Sequence, residues 1–169
     1  MEILKFTEKF IDSIDNGGTE IVFQFFISFA RIECALKNSL TFATSNLPTQ
    51  PNWELFLKTI KPLTDYSSNA SIKKAKDYIL NNPPQIQTKT ATAIEWTERE
   101  FQQNEPEENK LLQHIKDVRN NLFHGGKFNG IYKIDESRNY ILINSSLTIL
   151  NYWITLNQNI LQLFNEDIE

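Results

Sequence analysis

The chain has 169 residues, 40% of them apolar and 22% charged, with a formal net charge of −4, values that suit a single soluble globular domain over 1–169. The acidity counts against a surface given over entirely to nucleic acid, because phosphate contacts draw on Lys and Arg. Five Gly and six Pro are too few for a many-stranded sandwich or barrel. No stretch is apolar for long enough to span a membrane, and the N-terminus lacks a signal-peptide core; the single cysteine, Cys34, excludes an intrachain disulfide and points to a reducing cytoplasm.

Taken in chain order, the apolar spacing predicts an all-α bundle with helices near 3–15, 19–40, 52–61, 70–81, 91–102, 107–124 and 137–164. The first carries Ile3, Phe6, Phe10 and Ile14 at intervals of three or four and stops at the turn Asp15-Asn16-Gly17-Gly18. The second is apolar nearly all round, which assigns it to the middle of a bundle. Ser45 to Pro51 reads as a loop. The fourth ends at Asn81-Asn82-Pro83-Pro84, since proline cannot continue a helix. The segment from Ala91 to Phe101 reads as helical. In the sixth helix Leu111, Ile115, Val118 and Leu122 form one stripe; in the last, Ile143, Leu147, Leu150, Ile154 and Leu161 do, with Ser137 as N-cap. An alternative pairs 131–134 with 140–143 as a short hairpin.

Charge is uneven along the chain. Six glutamates lie between Glu95 and Glu108 against the single Arg99, whereas Lys116, Arg119, Lys127 and Lys133 stand against Asp117 alone between Leu111 and Lys133. The basic excess coincides with Arg119-Asn120-Asn121-Leu122-Phe123-His124-Gly125-Gly126-Lys127. Here a guanidinium suited to phosphate oxygens and a histidine suited to proton transfer near neutrality share a helix end. His124 follows Asn120 by four residues, so both project from one face, and Gly125-Gly126 supplies a C-cap. The helix C-terminus favours a protonated imidazole. The alternative reading is a helix end capped by a basic residue.

Glu33 offers an internal check. With Val22 at zero and about 100° per residue, Phe25, Phe26, Phe29, Leu36 and Leu40 cluster within about 60° of zero, and Glu33 falls near roughly 20°. A carboxylate there is costly without a cation or donors. Arg119, about 80° round from its own helix's stripe, is the expected partner; Lys37 or solvent is the alternative. Arg31 falls on the far side and is expected to reach water. His114 reads as a satisfied or surface histidine. Two distant histidines and one cysteine match no metal-ligand spacing, and neither a phosphate-binding glycine loop nor a nucleophile elbow is present.

The run from Arg119 to His124 resembles the Arg-x4–6-His motif of the HEPN superfamily, the higher eukaryotes and prokaryotes nucleotide-binding domains. His124-Gly125-Gly126-Lys127, the segment from Ala30 to Lys37, Asn82-Pro83-Pro84 and Trp96 are similar to bacterial single-domain members, and the resemblance extends from about residue 20 to 160. It implies a helical bundle that forms a homodimer, with two motifs in one cleft. It also implies a metal-independent endoribonuclease without a cofactor, of the kind found in toxin–antitoxin, antiphage, stress-response and CRISPR-associated systems, with an antitoxin or sensor protein as a further partner. By position, His124 would act as general base or acid on a ribose 2′-hydroxyl, Arg119 would stabilise the phosphorane, Asn120 would orient phosphate or histidine, and Glu33 would hold Arg119. Lys116, Asn121 and Lys127 would bind the RNA. Families paired with a nucleotidyltransferase antitoxin often carry tyrosine where this chain has Gly126, which argues against a tyrosine-modifying antitoxin. Other members only bind RNA, a nucleotide or a partner protein.

Overall fold

The computed structural model describes residues 4–5, 18–123 and 136–166. The helix expected near 3–15 falls outside these apart from residues 4 and 5, which are helical. Among the described residues six α-helices and one two-stranded sheet follow in the order α1 (Gly18–Asn38), α2 (Trp53–Ile60), α3 (Ala70–Asn81), β1 (Ile86–Lys89), β2 (Ile94–Thr97), α4 (Glu107–Phe123), α5 (Glu136–Thr155) and α6 (Gln158–Asn165). The fold is mostly α, as the apolar periodicity predicts.

Local chemistry sets several boundaries. Asn52 accepts from the Leu55 amide and Asn69 from the Ser71 and Ile72 amides, capping α2 and α3. Arg138 on α5 donates to the Pro83 carbonyl at 2.8 Å, tying α5 to the chain just past α3. No described helix is long and apolar enough to cross a membrane.

The core is built around α5, which packs against α1 and α3 and bears Ile149, Leu150 and Trp153, all fully buried. The Trp153 indole donates to the Tyr66 hydroxyl at 3.0 Å, so its N–H is satisfied. The structure corrects the expected place of α1. It buries Phe25, Phe29, Ile32 and Leu36 but leaves Phe23 65% and Ile27 55% exposed, so it forms a wall of the bundle, with one apolar stripe facing outward. Because α1 ends at Asn38, Leu40 leaves the predicted stripe and is fully exposed. Arg31 is partly exposed, and its guanidinium donates to the carbonyls of Leu163, Phe164 and Glu166, covering the orphan acceptors at the end of α6.

Two further expectations fail. The segment predicted as a helix over 91–102 contains β2, which pairs antiparallel with β1: Ile86 with Thr97, Gln87 with Trp96, Thr88 with Glu95 and Lys89 with Ile94. Thr90 closes the turn, its hydroxyl accepting from the Ala93 amide at 3.0 Å. The predicted 137–164 helix is broken at Leu156 and Asn157, where the Asn157 side chain caps α6 by accepting from Ile160. Helix α5 starts at Glu136, so Ser137 lies inside its first turn, and 140–143 are helical, which removes the alternative hairpin there; 131–134 lie outside the described residues.

Candidate functional site

Arg119, Asn120 and Asn121 are consecutive on α4, and an α-helix turns about 100° per residue, so they fan out over three directions. With the buried stripe of Leu111, Ile115, Val118 and Leu122 centred near zero, Arg119 and Lys116 fall near about +80° and +140°. Asn121 and Asp117 fall near about −80° and −120°, with Asn120 at about 180°. The motif therefore presents two flanks, each meeting a different part of the fold.

On the first flank, the Arg119 guanidinium lies over the Phe29 ring of α1, 5.2 Å from its centroid, within cation–π range. The Lys116 ammonium lies over the Trp53 indole of α2 at 6.0 Å, and Phe29 and Trp53 pack against each other at 5.6 Å between centroids. Burial pulls the Lys116 pKa below the usual lysine range; the nearby Glu33 carboxylate opposes that fall and Arg119 adds to it. Lys116, Arg119 and Glu33 thus share one neighbourhood, all partly buried.

The expected Glu33–Arg119 ion pair does not form among the described residues. Glu33 accepts instead from the Trp53 indole N–H at 3.3 Å. The buried face of α1 includes Ile21, Ile32 and Ala35 as well as Phe25 and Phe29, which shifts its centre to about 80° from Glu33. The carboxylate therefore stands at the edge of the apolar face, where an indole donor and a neighbouring lysine meet its needs. Among the described residues Arg119 has no hydrogen bond to a protein acceptor, which leaves its donors uncommitted there.

On the second flank, α4 meets the hairpin. Arg99 donates from Nε and Nη2 to the two Asp117 carboxylate oxygens at 2.7 and 2.6 Å, a bidentate pair on a carboxylate that is only 2% exposed. This raises the Arg99 pKa further. Asn121 donates to the Gln85 carbonyl at 2.8 Å, anchoring the start of the hairpin, so its amide nitrogen serves the fold. Asn120 joins Ile86, Gln87, Trp96, Arg99, Asp117 and Asn121 around a cleft of about 260 Å³. Sequence reasoning passed over Arg99 and Asp117, although each is the one opposite charge in its run.

His114, expected to be satisfied or at the surface, is 4% exposed, and its Nδ1 has no hydrogen-bond partner among the described residues. Burial lowers its pKa; Asp117 opposes this, while Arg99 and Lys110 add to it. Phe123, 65% exposed, extends α4 with its ring edge-on to Phe26 at 4.6 Å. His124, the Gly125-Gly126 cap and Lys127 lie outside the described residues. Among the described residues no group of three His, Cys, Asp or Glu side chains is placed to hold a metal.

Residues 34–157, most of the chain, match the family described as Apea-like HEPN. No curated protein and no solved structure matches the chain.

Proposed function

The chain belongs to the Apea-like HEPN family, and from that premise we propose that it is a metal-independent endoribonuclease working as a homodimer in a toxin, antiphage or stress-response setting. The observation that carries this reading is Arg119, a partly buried guanidinium over Phe29 with no acceptor among the described residues. A half-buried cation without a partner is unfavourable, and a phosphate oxygen would supply the missing acceptor bidentately. Lys116, about one turn away on the same flank, adds positive charge for the same anion.

In this reading His124 takes the proton from a ribose 2′-hydroxyl, the freed oxygen attacks the adjacent phosphorus, and the bond to the 5′-oxygen breaks. Returned to that oxygen, the proton completes a 2′,3′-cyclic phosphate and a 5′-hydroxyl product. Arg119 carries the negative charge that builds on the phosphorane, and Asn120 orients phosphate or imidazole. Glu33, bonded to Trp53, sets the field at Lys116. Lys127 and Lys116 engage the RNA backbone.

Purified protein incubated with single-stranded RNA in EDTA is expected to cleave it, and the His124→Ala and Arg119→Ala variants to keep their helical circular dichroism and lose cleavage. Unimpaired cleavage by either variant removes the mechanism. A non-catalytic module that binds RNA, a nucleotide or a partner protein is the second reading, favoured by the net charge of −4. Binding without cleavage by the wild-type chain selects it.

A further inference from the structure

The cleft between the hairpin and α4 is separate from the Arg119 flank, and its lining has the makings of a base-reading pocket. Trp96 on β2 supplies a half-buried aromatic face, and its cross-strand neighbour Gln87 lines the same cleft. The side-chain amides of Gln87 and Asn120 have no hydrogen-bond partner among the described residues, so each keeps both donor and acceptor capacity. Arg99 is held by two bonds to Asp117, which leaves its Nη1 amino group on a fixed fork with no hydrogen-bond partner among the described residues. Both Asp117 oxygens accept from Arg99, and the carboxylate is 2% exposed, so little bare negative charge faces the cleft. At about 260 Å³ the space falls below the ~300–1,000 Å³ of drug-sized pockets and suits one base.

We propose that this cleft takes a single unstacked purine of an RNA strand, stacked on Trp96, with its N7 edge toward Arg99, Gln87 and Asn120. Purines present N7 as an acceptor, joined by O6 in guanine and by the N6 amino donor in adenine. Guanidinium donors and ambivalent amides match that edge; pyrimidines have no N7. Asn120 follows Arg119 directly and projects from the outer face of α4 between the two flanks, so a strand that crosses this face would pass from a phosphate at Arg119 to a base in the cleft. The proposal rests on the RNA reading given above and adds which base the strand presents.

The test is titration of the wild-type protein with AMP, GMP, CMP and UMP, followed by tryptophan fluorescence. Trp53 and Trp153 are 4% and 0% exposed, so quenching by a stacked base reports on Trp96. The purine monophosphates are expected to bind about tenfold more tightly than the pyrimidines. By ligand-observed NMR, Trp96→Ala should weaken AMP and GMP binding about tenfold. Trp96→Phe should retain most of it, and Gln87→Leu should erase the purine preference while the melting temperature is unchanged. Equal binding of all four nucleotides, no binding, or wild-type affinity in Trp96→Ala overturns the pocket. Purine binding at Trp96 without RNA cleavage keeps the pocket and removes the nuclease. Cleavage with no purine preference removes the pocket alone.

Discussion

The guanidinium of Arg119 sits 5.2 Å from the ring centroid of Phe29, and that ring is its principal contact within the described fold. A cation–π contact of this kind is worth about 0.5–2 kcal/mol, so Arg119→Ala should cost the fold no more than that by urea unfolding. RNA cleavage should fall by about 10²–10³-fold, the scale of losing one group that stabilises developing charge. Arg119→Lys keeps the charge but not the planar fork, and should recover only part of the rate. A large loss of stability in Arg119→Ala would place the residue in the scaffold.

The Arg99–Asp117 pair predicts an asymmetry. Asp117 is 2% exposed whereas the Arg99 side chain is 32% exposed. Arg99→Ala strands a buried carboxylate and should destabilise by about 3–5 kcal/mol. Asp117→Ala frees a cation that can turn to solvent and should cost less. Chemical denaturation of the two variants, with Arg99→Met/Asp117→Leu as a third, checks the order; the double variant should regain much of the loss.

His114 predicts a pH dependence. Its pKa in the fold is depressed below 6.5 by burial, so between that lower value and 6.5 the unfolded chain binds more protons than the native one. Stability should therefore fall as pH drops through this window and level off below it. His114→Phe should remove this part of the slope, read as unfolding free energy from pH 7.5 to pH 5. An identical slope in the variant would assign the effect to other groups.

Arg31 holds the carbonyls at the end of α6 from α1. Hydrogen bonds from a charged donor are worth about 1.5–3 kcal/mol when a partner is removed. Arg31→Ala should accelerate amide exchange over 158–165 by at least tenfold while the core of α1 and α5 keeps its protection.

The outward stripe of Phe23 and Ile27 supports the proposed homodimer, because exposed apolar side chains aligned on one helix face mark contact surfaces. Light scattering should give twice the 19.7 kDa chain mass, and Phe23→Glu/Ile27→Glu should give the monomer and abolish cleavage while helicity is kept. A monomeric wild-type protein that still cleaves RNA would remove the paired-motif arrangement.

Much of the fold was legible in periodicity. The stripe of Leu111, Ile115, Val118 and Leu122 is buried as read, whereas the one N-cap read from the sequence, Ser137, lies inside the first turn of α5, and the asparagines that cap α2 and α3 were not singled out. The hairpin escaped because its turn carries no Gly, Pro or Asn; a threonine hydroxyl closes it, and the Ala and Glu content around it resembles a helix. The break at Asn157 escaped because Ile154 and Leu161 stay in phase across it.

The sequence by itself determined the helical stripe of α4, the HEPN family, and which residues share the Arg119 motif, since a helix's period depends on neighbours a few positions away. Only the tertiary structure decided that Glu33 meets Trp53 rather than Arg119, that Asn121 braces the hairpin, and that Asn120 faces Arg99 and Trp96. Those outcomes depend on how far each helix is rotated against the next, which is settled by packing over the whole core and is written in no local stretch of chain.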